Sequence, residues 1–365
     1  MEEFSCIKIR SADPFERGAQ YGAQARDLIR LGIQGYQRHF SKTLSASWED
    51  ILRRSHLYLG LLERDFPAEL AEARGIAAGS GIDLDAIMAL NCRYEILKLK
   101  NLHQEKECTS GAVLPEAARG GGTYLIKNWD YRPWVEDHVV IVDIDDLNGT
   151  HIVGLTEAGQ LIRDGMNNHG VSVCGNNLTS VFDTGEVGAP VTFVRRKALN
   201  CRAFAQAYNV VKSSPRGVSC NILVASAEGK AVDLEATPGG VFELTPENGI
   251  VTHANHMVAG AKYCTNHGSK FRDAVLRRRL MERRGDLDLE TLRSCLTDHE
   301  MKPGWPTEYP ESDCLEAVCS HVPHGDIDVD KVWKTIASSI YDLNGRTAYL
   351  CKGCPCRGQF IPYPL

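Results

Sequence analysis

The sequence predicts an α+β fold of layered antiparallel sheets, preceded by a helical N-terminal segment. Three observations carry this prediction. Apolar residues recur at helical spacing from Phe15 to about Leu97, short β runs bounded by Gly, Asp or Asn take over after Cys108, and Asn148-Gly149 and Asn344-Gly345 stand where tight hairpins are expected. Strands joined by hairpins rather than by crossover helices pair antiparallel, so βαβ repetition is not expected.

Each element has its own signal. Residues 4–10, FSCIKIR, read as a strand. In the helical stretch Leu28 with Leu31 and Ile29 with Ile33 give three- and four-residue steps, which Leu52, Leu59 and Leu62 continue. Pro67 suits the first turn of PAELAEARGIAAG, Gly79 and Gly81 close it, and Asp83 or Asp85 can cap the helix leading to Leu97. The β runs are TSGAVLP, GTYLIKNW, HVVIVDI, GTHIVGLT and GVSVCGN. Helical patterns return at PVTFVRRKALN with CRAFAQAYNVVKS and at KFRDAVLRRRLMERR with LDLETLRSCL, with strands SCNILVAS, KAVDLEAT and VFELTP between them. IASSIYDL and RTAYLCK close the chain as two final strands. Gly120-Gly121-Gly122 is a hairpin turn, because no P-loop Lys-Ser/Thr follows it. The Pro- and His-rich stretch from Met301 to Asp326 reads as a long surface loop.

At 43% hydrophobic and 24% charged residues, the 365-residue chain has the composition of a globular protein with a large core. Its net charge of −6 is spread over mixed acids and bases, and without a basic block neither nucleic acid nor an anionic membrane is an expected partner. The start MEEFSCIKIRSADPFERG lacks a signal-peptide pattern, and no apolar run nears the ~20 residues that span a bilayer. A cytoplasmic protein is the expectation. Most of its thirteen cysteines, spread from Cys6 to Cys356, are then expected as reduced thiols, and Cys174 and Cys220 lie in apolar runs that suit core packing.

Cys108 is set apart by position. The charged stretch NLHQEKE delivers the chain to it and the strand TSGAVLP begins directly after it, so a loop meets a sheet there. Were the peptide bond before it cut, Cys108 would carry a thiol and an α-amine, whose reference pKa of ~7.7–8.0 lets it act as the thiol's own base. Asn128, Trp129 and Asp130 end the next strand, and on a strand Trp129 and Asp130 alternate faces. Tyr21, Tyr131 and Trp134 are candidate walls of an acyl pocket, and Thr109, Asn176 and Asn177 are candidate substrate contacts. A thiol hydrolase of papain-like type, with His253 or His256 as base and no self-cleavage, is the rival enzyme reading, and a non-catalytic binding protein the third.

Two clusters invite a metal reading. His253 and His256 flank Asn255 without a nearby third ligand, and Cys351-Lys352-Gly353-Cys354-Pro355-Cys356 resembles half of a zinc site without a second Cys-x-x-Cys. A strand end and turn accounts for the latter, so no metal and no cofactor are expected.

Taken together, the motifs resemble those of the acyl-CoA:6-aminopenicillanate acyltransferase family, also called isopenicillin-N acyltransferase-like or C45 peptidases, within the Ntn hydrolases. They are Phe15-Glu16 with Gly18, Tyr21 and Gly22; Arg74-Gly75-Ile76-Ala77; Leu90-Asn91 with Arg93 and Glu95; Cys108-Thr109; Asn128-Trp129-Asp130; Glu157-Ala158-Gly159; Gly165-Met166-Asn167; Gly170-Val171; His253-Ala254-Asn255-His256; and Ile340-Tyr341-Asp342. The resemblance implies an αββα sandwich made as a precursor that cuts itself between Glu107 and Cys108, leaving residues 1–107 as a helical α chain and 108–365 as a β chain of one integrated fold. It also implies Cys108 as nucleophile, Asp130 as the acid that orients the new N-terminus, Asn255 as the oxyanion-hole amide, and a small amide or acyl-thioester substrate. The chain departs from the pattern at Glu107, where the penicillin enzyme has glycine, and around Ser320-His321-Val322-Pro323-His324, where that enzyme's late arginine has no match.

Overall fold

The computed structural model describes residues 3–98, 108–301, 317–322 and 328–365. Strand β1 (Ser5–Arg10) leads into helix α1 (Pro14–Leu44), whose start is fixed by Pro14 in its first turn and by the Asp13 carboxylate, which accepts the Glu16 N–H at 2.8 Å. Shorter helices follow: α2 (Trp48–His56), α3 (Leu59–Asp65), α4 (Pro67–Ser80), α5 (Leu84–Asn91) and α6 (Arg93–Lys98). Pro67 opens α4 and Gly81, at φ 67°, closes it, as the sequence predicts. Asp83 takes the N-cap position of α5 without a side-chain cap bond. α1 and α4 cross at backbone contact: a Cβ on Gly18 would lie 1.9 Å from the Glu72 carbonyl oxygen, and one on Gly75 2.0 Å from that of Phe15. The glycines of the two N-terminal motifs therefore serve this crossing.

Two sheets make up the centre. In the eight-stranded one, β1 pairs in parallel with β4 (Val139–Asp145), and β5 (His151–Glu157), β6 (Asp164–Asn167), β7 (Val171–Asn177), β8 (Cys220–Ser226), β9 (Lys230–Thr237) and β10 (Gly240–Leu244) follow in antiparallel order. The six-stranded sheet runs β11 (Ile250–His253), β2 (Thr109–Val113), β3 (Tyr124–Tyr131), β12 (Lys334–Asp342), β13 (Thr347–Lys352), β14 (Ile361–Pro364), antiparallel throughout. Asn148-Gly149 and Asn344-Gly345 lie in the β4–β5 and β12–β13 hairpins, as expected. The parallel β1–β4 pair departs from the antiparallel expectation because the helical segment between the two strands acts as a long crossover. β14 has no counterpart among the expected strands: Pro362 and Pro364 disguise it, and a strand carrying prolines is tolerated at a sheet edge.

The inner faces of the sheets stack on each other, with α1, α7 (Val191–Leu199) and α8 (Phe204–Ser213) on the eight-stranded sheet and α9 (Lys270–Met281) and α10 (Leu289–Leu296) on the six-stranded one. This is the αββα sandwich that the resemblance implies. Ile126 and Ile340 pack with Val275, Leu276 and Leu292 in the layer under α9 and α10, while Leu125 and Trp129, from the other face of β3, enter the larger core. Each such side chain contributes ~1.5–3 kcal/mol on burial. One expectation needs correction: within the predicted surface loop, Ala317 to His321 are buried, because this short segment pairs its backbone with β12 through the Thr335 N–H and the Ser320 carbonyl at 3.0 Å.

Candidate active site

Cys108 stands at the head of β2. Its side chain is 2% exposed, and its φ of 65° lies in the left-handed region that residues with a Cβ seldom enter. Such a conformation costs ~1–2 kcal/mol, here at the residue that would be released by cleavage. Glu107, the other half of the expected cleavage site, lies outside the described residues. Thr109 pairs with Asn128 across β2 and β3, which brings the head of β2 to the end of β3 where Asp130 sits.

Asp130 is fully buried, and both its oxygens are held. The Thr335 hydroxyl on β12 donates to Oδ1 at 2.6 Å, and Nη1 of Arg272 on α9 donates to Oδ2 at 3.3 Å. Nη2 of the same guanidinium donates to the Cys108 carbonyl oxygen at 3.3 Å and to Asn255 Oδ1 at 2.6 Å. Asn255 Nδ2 in turn donates to the Asn177 carbonyl at 3.1 Å. Arg272 thus joins the predicted nucleophile, acid and amide in one network and fixes which end of the Asn255 amide is the donor. Burial pushes the Asp130 carboxyl up to about 6, against the pull of Arg272 and Thr335.

Arg272 is the residue that sequence reasoning missed. The stretch around Ser320 holds no match to the family's late arginine, whereas a guanidinium reaches the site from α9. Its signal is an arginine in the first turn of KFRDAVL that shares a helix face, at helical spacing, with the buried Val275, Leu276 and Leu280, where a solvated charge is not expected.

The remaining predicted residues divide. Asn176 Nδ2 donates to the Ser110 hydroxyl at 2.9 Å and to the His253 carbonyl at 3.1 Å, tying the two sheets together behind Cys108. Asn177 contributes the carbonyl under Asn255, while its side chain accepts from the Tyr94 hydroxyl at 2.8 Å. Thr109 Oγ1 is buried without a hydrogen-bond partner among the described residues. Tyr131 receives the Arg93 guanidinium on its hydroxyl at 3.1 Å. Tyr21 is engaged elsewhere: its hydroxyl donates to the Gln160 carbonyl and accepts the Gly159 N–H, both at 3.1 Å, so it braces the turn after β5. Trp134 stacks on His138 and meets Tyr36 edge-on, in the contact between α1 and the segment after β3. The structure therefore gives Tyr21 and Trp134 packing roles instead of places in an acyl pocket.

The histidines do not favour the rival thiol-hydrolase reading. His253 Nε2 lies 3.0 Å from Glu235 Oε1 and Nδ1 2.8 Å from the Ala254 carbonyl; both partners only accept, so both ring nitrogens carry hydrogen. Burial pulls the imidazole down, but Asp233 and Glu235 prevail and raise it to about 9, which leaves it a cation rather than a base. His256 faces the Ser269 hydroxyl at 3.0 Å, and burial lowers it to about 4. The two residues brace the loop that carries Asn255, whose own N–H is held by Ser269 at 2.8 Å.

An αββα sandwich with a buried cysteine heading a strand of one sheet, beside a carboxylate and an amide, has the architecture of the N-terminal-nucleophile hydrolases. The chain belongs to the acyl-coenzyme A:6-aminopenicillanic acid acyl-transferase family, whose model matches residues 117–356. It is 26% identical over 260 residues to the 40 kDa form of acyl-coenzyme A:6-aminopenicillanic-acid-acyltransferase of Emericella nidulans, covering 70% of this chain and 68% of that protein. Among solved structures, the N-acylethanolamine-hydrolyzing acid amidase ortholog of Caenorhabditis elegans is similar at 16% identity and TM-score 0.47, over 65% of this chain and 93% of that one. A mutant conjugated bile acid hydrolase from Clostridium perfringens is similar at 12% identity and TM-score 0.45, over 71% and 92%. No helix among the described residues is long and apolar enough to cross a membrane.

Proposed function

We propose that the chain is an autoprocessed cysteine amidohydrolase or N-acyltransferase that cleaves or forms amide bonds of small N-acyl amines or amino acids through a Cys108 thioester. The single observation that carries this reading is the Arg272 guanidinium, which holds the Asp130 carboxylate, the Cys108 carbonyl and the Asn255 amide together. In processing, the Cys108 thiol adds to the Glu107 carbonyl carbon, the C–N bond breaks as the peptide shifts to sulfur, and water hydrolyses the resulting thioester. This frees the Cys108 α-amine and returns the thiol.

In turnover that amine accepts the thiol proton, and the thiolate adds to the substrate carbonyl. The oxyanion that forms is stabilised by the Asn255 Nδ2 donor, a neutral group that does not compete for the acyl chain. Asp130 holds the resulting ammonium by a charge-assisted bond, and the ammonium returns its proton to the leaving amine. Water or an amine then takes the acyl group from sulfur. A reactive thiol accompanied by many other free cysteines suits the reducing cytoplasm.

The test is to trap the acyl-enzyme. Brief incubation with a panel of N-acyl amines and acyl thioesters, followed by acid quench and peptide mass mapping, is expected to add an acyl mass to the peptide that begins at Cys108. Turnover retained by Cys108→Ala would overturn the proposal.

A further inference from the structure

Apart from the Cys108 network, four ligand-type side chains from three stretches of chain meet at one point. His299 follows α10, Cys319 and His321 lie on the buried segment that pairs with β12, and Cys356 projects from the turn after β13. His321 Nε2 is 3.1 Å from His299 Nε2, 3.5 Å from Cys319 Sγ and 3.3 Å from Cys356 Sγ, and the two sulfurs are 3.7 Å apart. A zinc ion with ordinary Zn–S and Zn–N bonds in tetrahedral geometry sets these edges at ~3.8 Å for S–S, ~3.6 Å for S–N and ~3.3 Å for N–N. The observed edges follow the same order and lie close to those lengths. One shared proton explains one thiol–imidazole or imidazole–imidazole contact; it does not explain why one nitrogen meets three ligand atoms at once.

We infer that His299, Cys319, His321 and Cys356 form a structural zinc site. Four protein ligands leave no open coordination position, so the ion's work is to fix the fold, with Cys319 and Cys356 bound as thiolates. The consequence lies at the next residue. The Ser320 N–H donates to the Thr335 hydroxyl oxygen at 2.9 Å, and that hydroxyl donates to Asp130 at 2.6 Å. A metal that locks Cys319 and His321 therefore locks the support beneath the carboxylate. In sequence the site hides because it pairs a Cys-x-His with the last cysteine of the Cys-x-x-Cys-x-Cys stretch, whereas the usual signature is a second Cys-x-x-Cys. Cys354, in the same turn, reaches the cluster as well: its thiol hydrogen-bonds Cys319 and His321, and its Sγ lies 3.4 Å from the carbonyls of Ser320 and Thr335. It stands outside the four residues whose ligand atoms all lie within 4.8 Å of one another and is assigned no ligand role.

The test uses the full chain, purified without a histidine tag or chelator. Elemental analysis should find about one zinc per chain, falling to less than about a tenth of that in the Cys319→Ser, Cys356→Ser double variant. Because that variant could fail to fold, cobalt is also titrated into metal-stripped wild-type protein, which should develop the intense thiolate-to-cobalt charge-transfer band of a tetrahedral site. Cys354→Ser should keep its zinc; loss there together with retention in His299→Ala would overturn the ligand set. Zinc-free wild-type protein that also shows no cobalt band, or a Cys319–Cys356 disulfide in peptides mapped without reductant, would overturn the site itself.

Discussion

Asp130 gives the sharpest energetic prediction, because its burial and its partners act in opposite directions. In the uncut chain burial raises the carboxyl from 3.8 to about 6, in spite of Arg272 and Thr335. An acid whose folded pKa exceeds its unfolded value contributes stability that is fully present below pH ~4 and is lost as the pH rises through ~6; the shift of about two units corresponds to ~3 kcal/mol. The group is fully buried, so solvent screening does not reduce this figure. The perturbation is Asp130→Asn in a Cys108→Ala background, which keeps the chain uncut. An asparagine side chain cannot accept from both Thr335 and Arg272, and that loss is a constant offset at every pH. The pH dependence is what carries the information. Urea unfolding at several pH values between 4 and 8 should show the stability of the Asp130→Asn chain, relative to its parent, improving by ~3 kcal/mol across the range. A flat difference, or one moving the other way, would mean that Arg272 dominates and the carboxylate is an ordinary buried ion pair. The proposed cleavage would set a Cys108 ammonium beside Asp130, so a processed protein should lose most of this dependence.

Other consequences are direct. If Asn255 is the oxyanion donor the proposal makes it, Asn255→Ala should lower kcat by ~100-fold or more while circular dichroism stays native; a change confined to KM would assign Asn255 to substrate binding. Tyr21→Phe removes a hydroxyl bonded to Gly159 and Gln160 and should cost ~1–2 kcal/mol in denaturant unfolding without changing kcat/KM, whereas a kinetic effect at unchanged stability would return Tyr21 to the substrate site. Gly75→Ala forces α1 and α4 apart at the Phe15 carbonyl and should cost ~1–3 kcal/mol, read as a lower Tm; an unchanged Tm would refute the contact role of these glycines.

Much of the fold is written locally. Helical spacing, the Asn-Gly hairpins and Pro67 with Gly81 mark the elements they form, because each depends on a few neighbouring residues. What escapes a reading of the sequence depends on distant chain. β1 joins β4 in parallel only because a helical segment carries it across, and β14 forms despite two prolines because it lies at an edge. The site divides in the same way. Cys108, Asp130 and Asn255 stand in short motifs, whereas Arg272 joins them only through the packing of α9 on the six-stranded sheet. Tyr21 and Trp134 look available in sequence because aromatic residues near strand ends fit pockets and cores equally well; tertiary contacts assign them to packing.

The proposed chemistry stands on Cys108 becoming an N-terminus. Intact-mass measurement of freshly purified protein, with terminal sequencing of the products, tests this most directly. The predicted result is two chains, one ending at Glu107 and the other beginning Cys108-Thr109-Ser110-Gly111, with Cys108→Ala remaining whole. A single intact chain of 365 residues that nevertheless turns over substrate would contradict it.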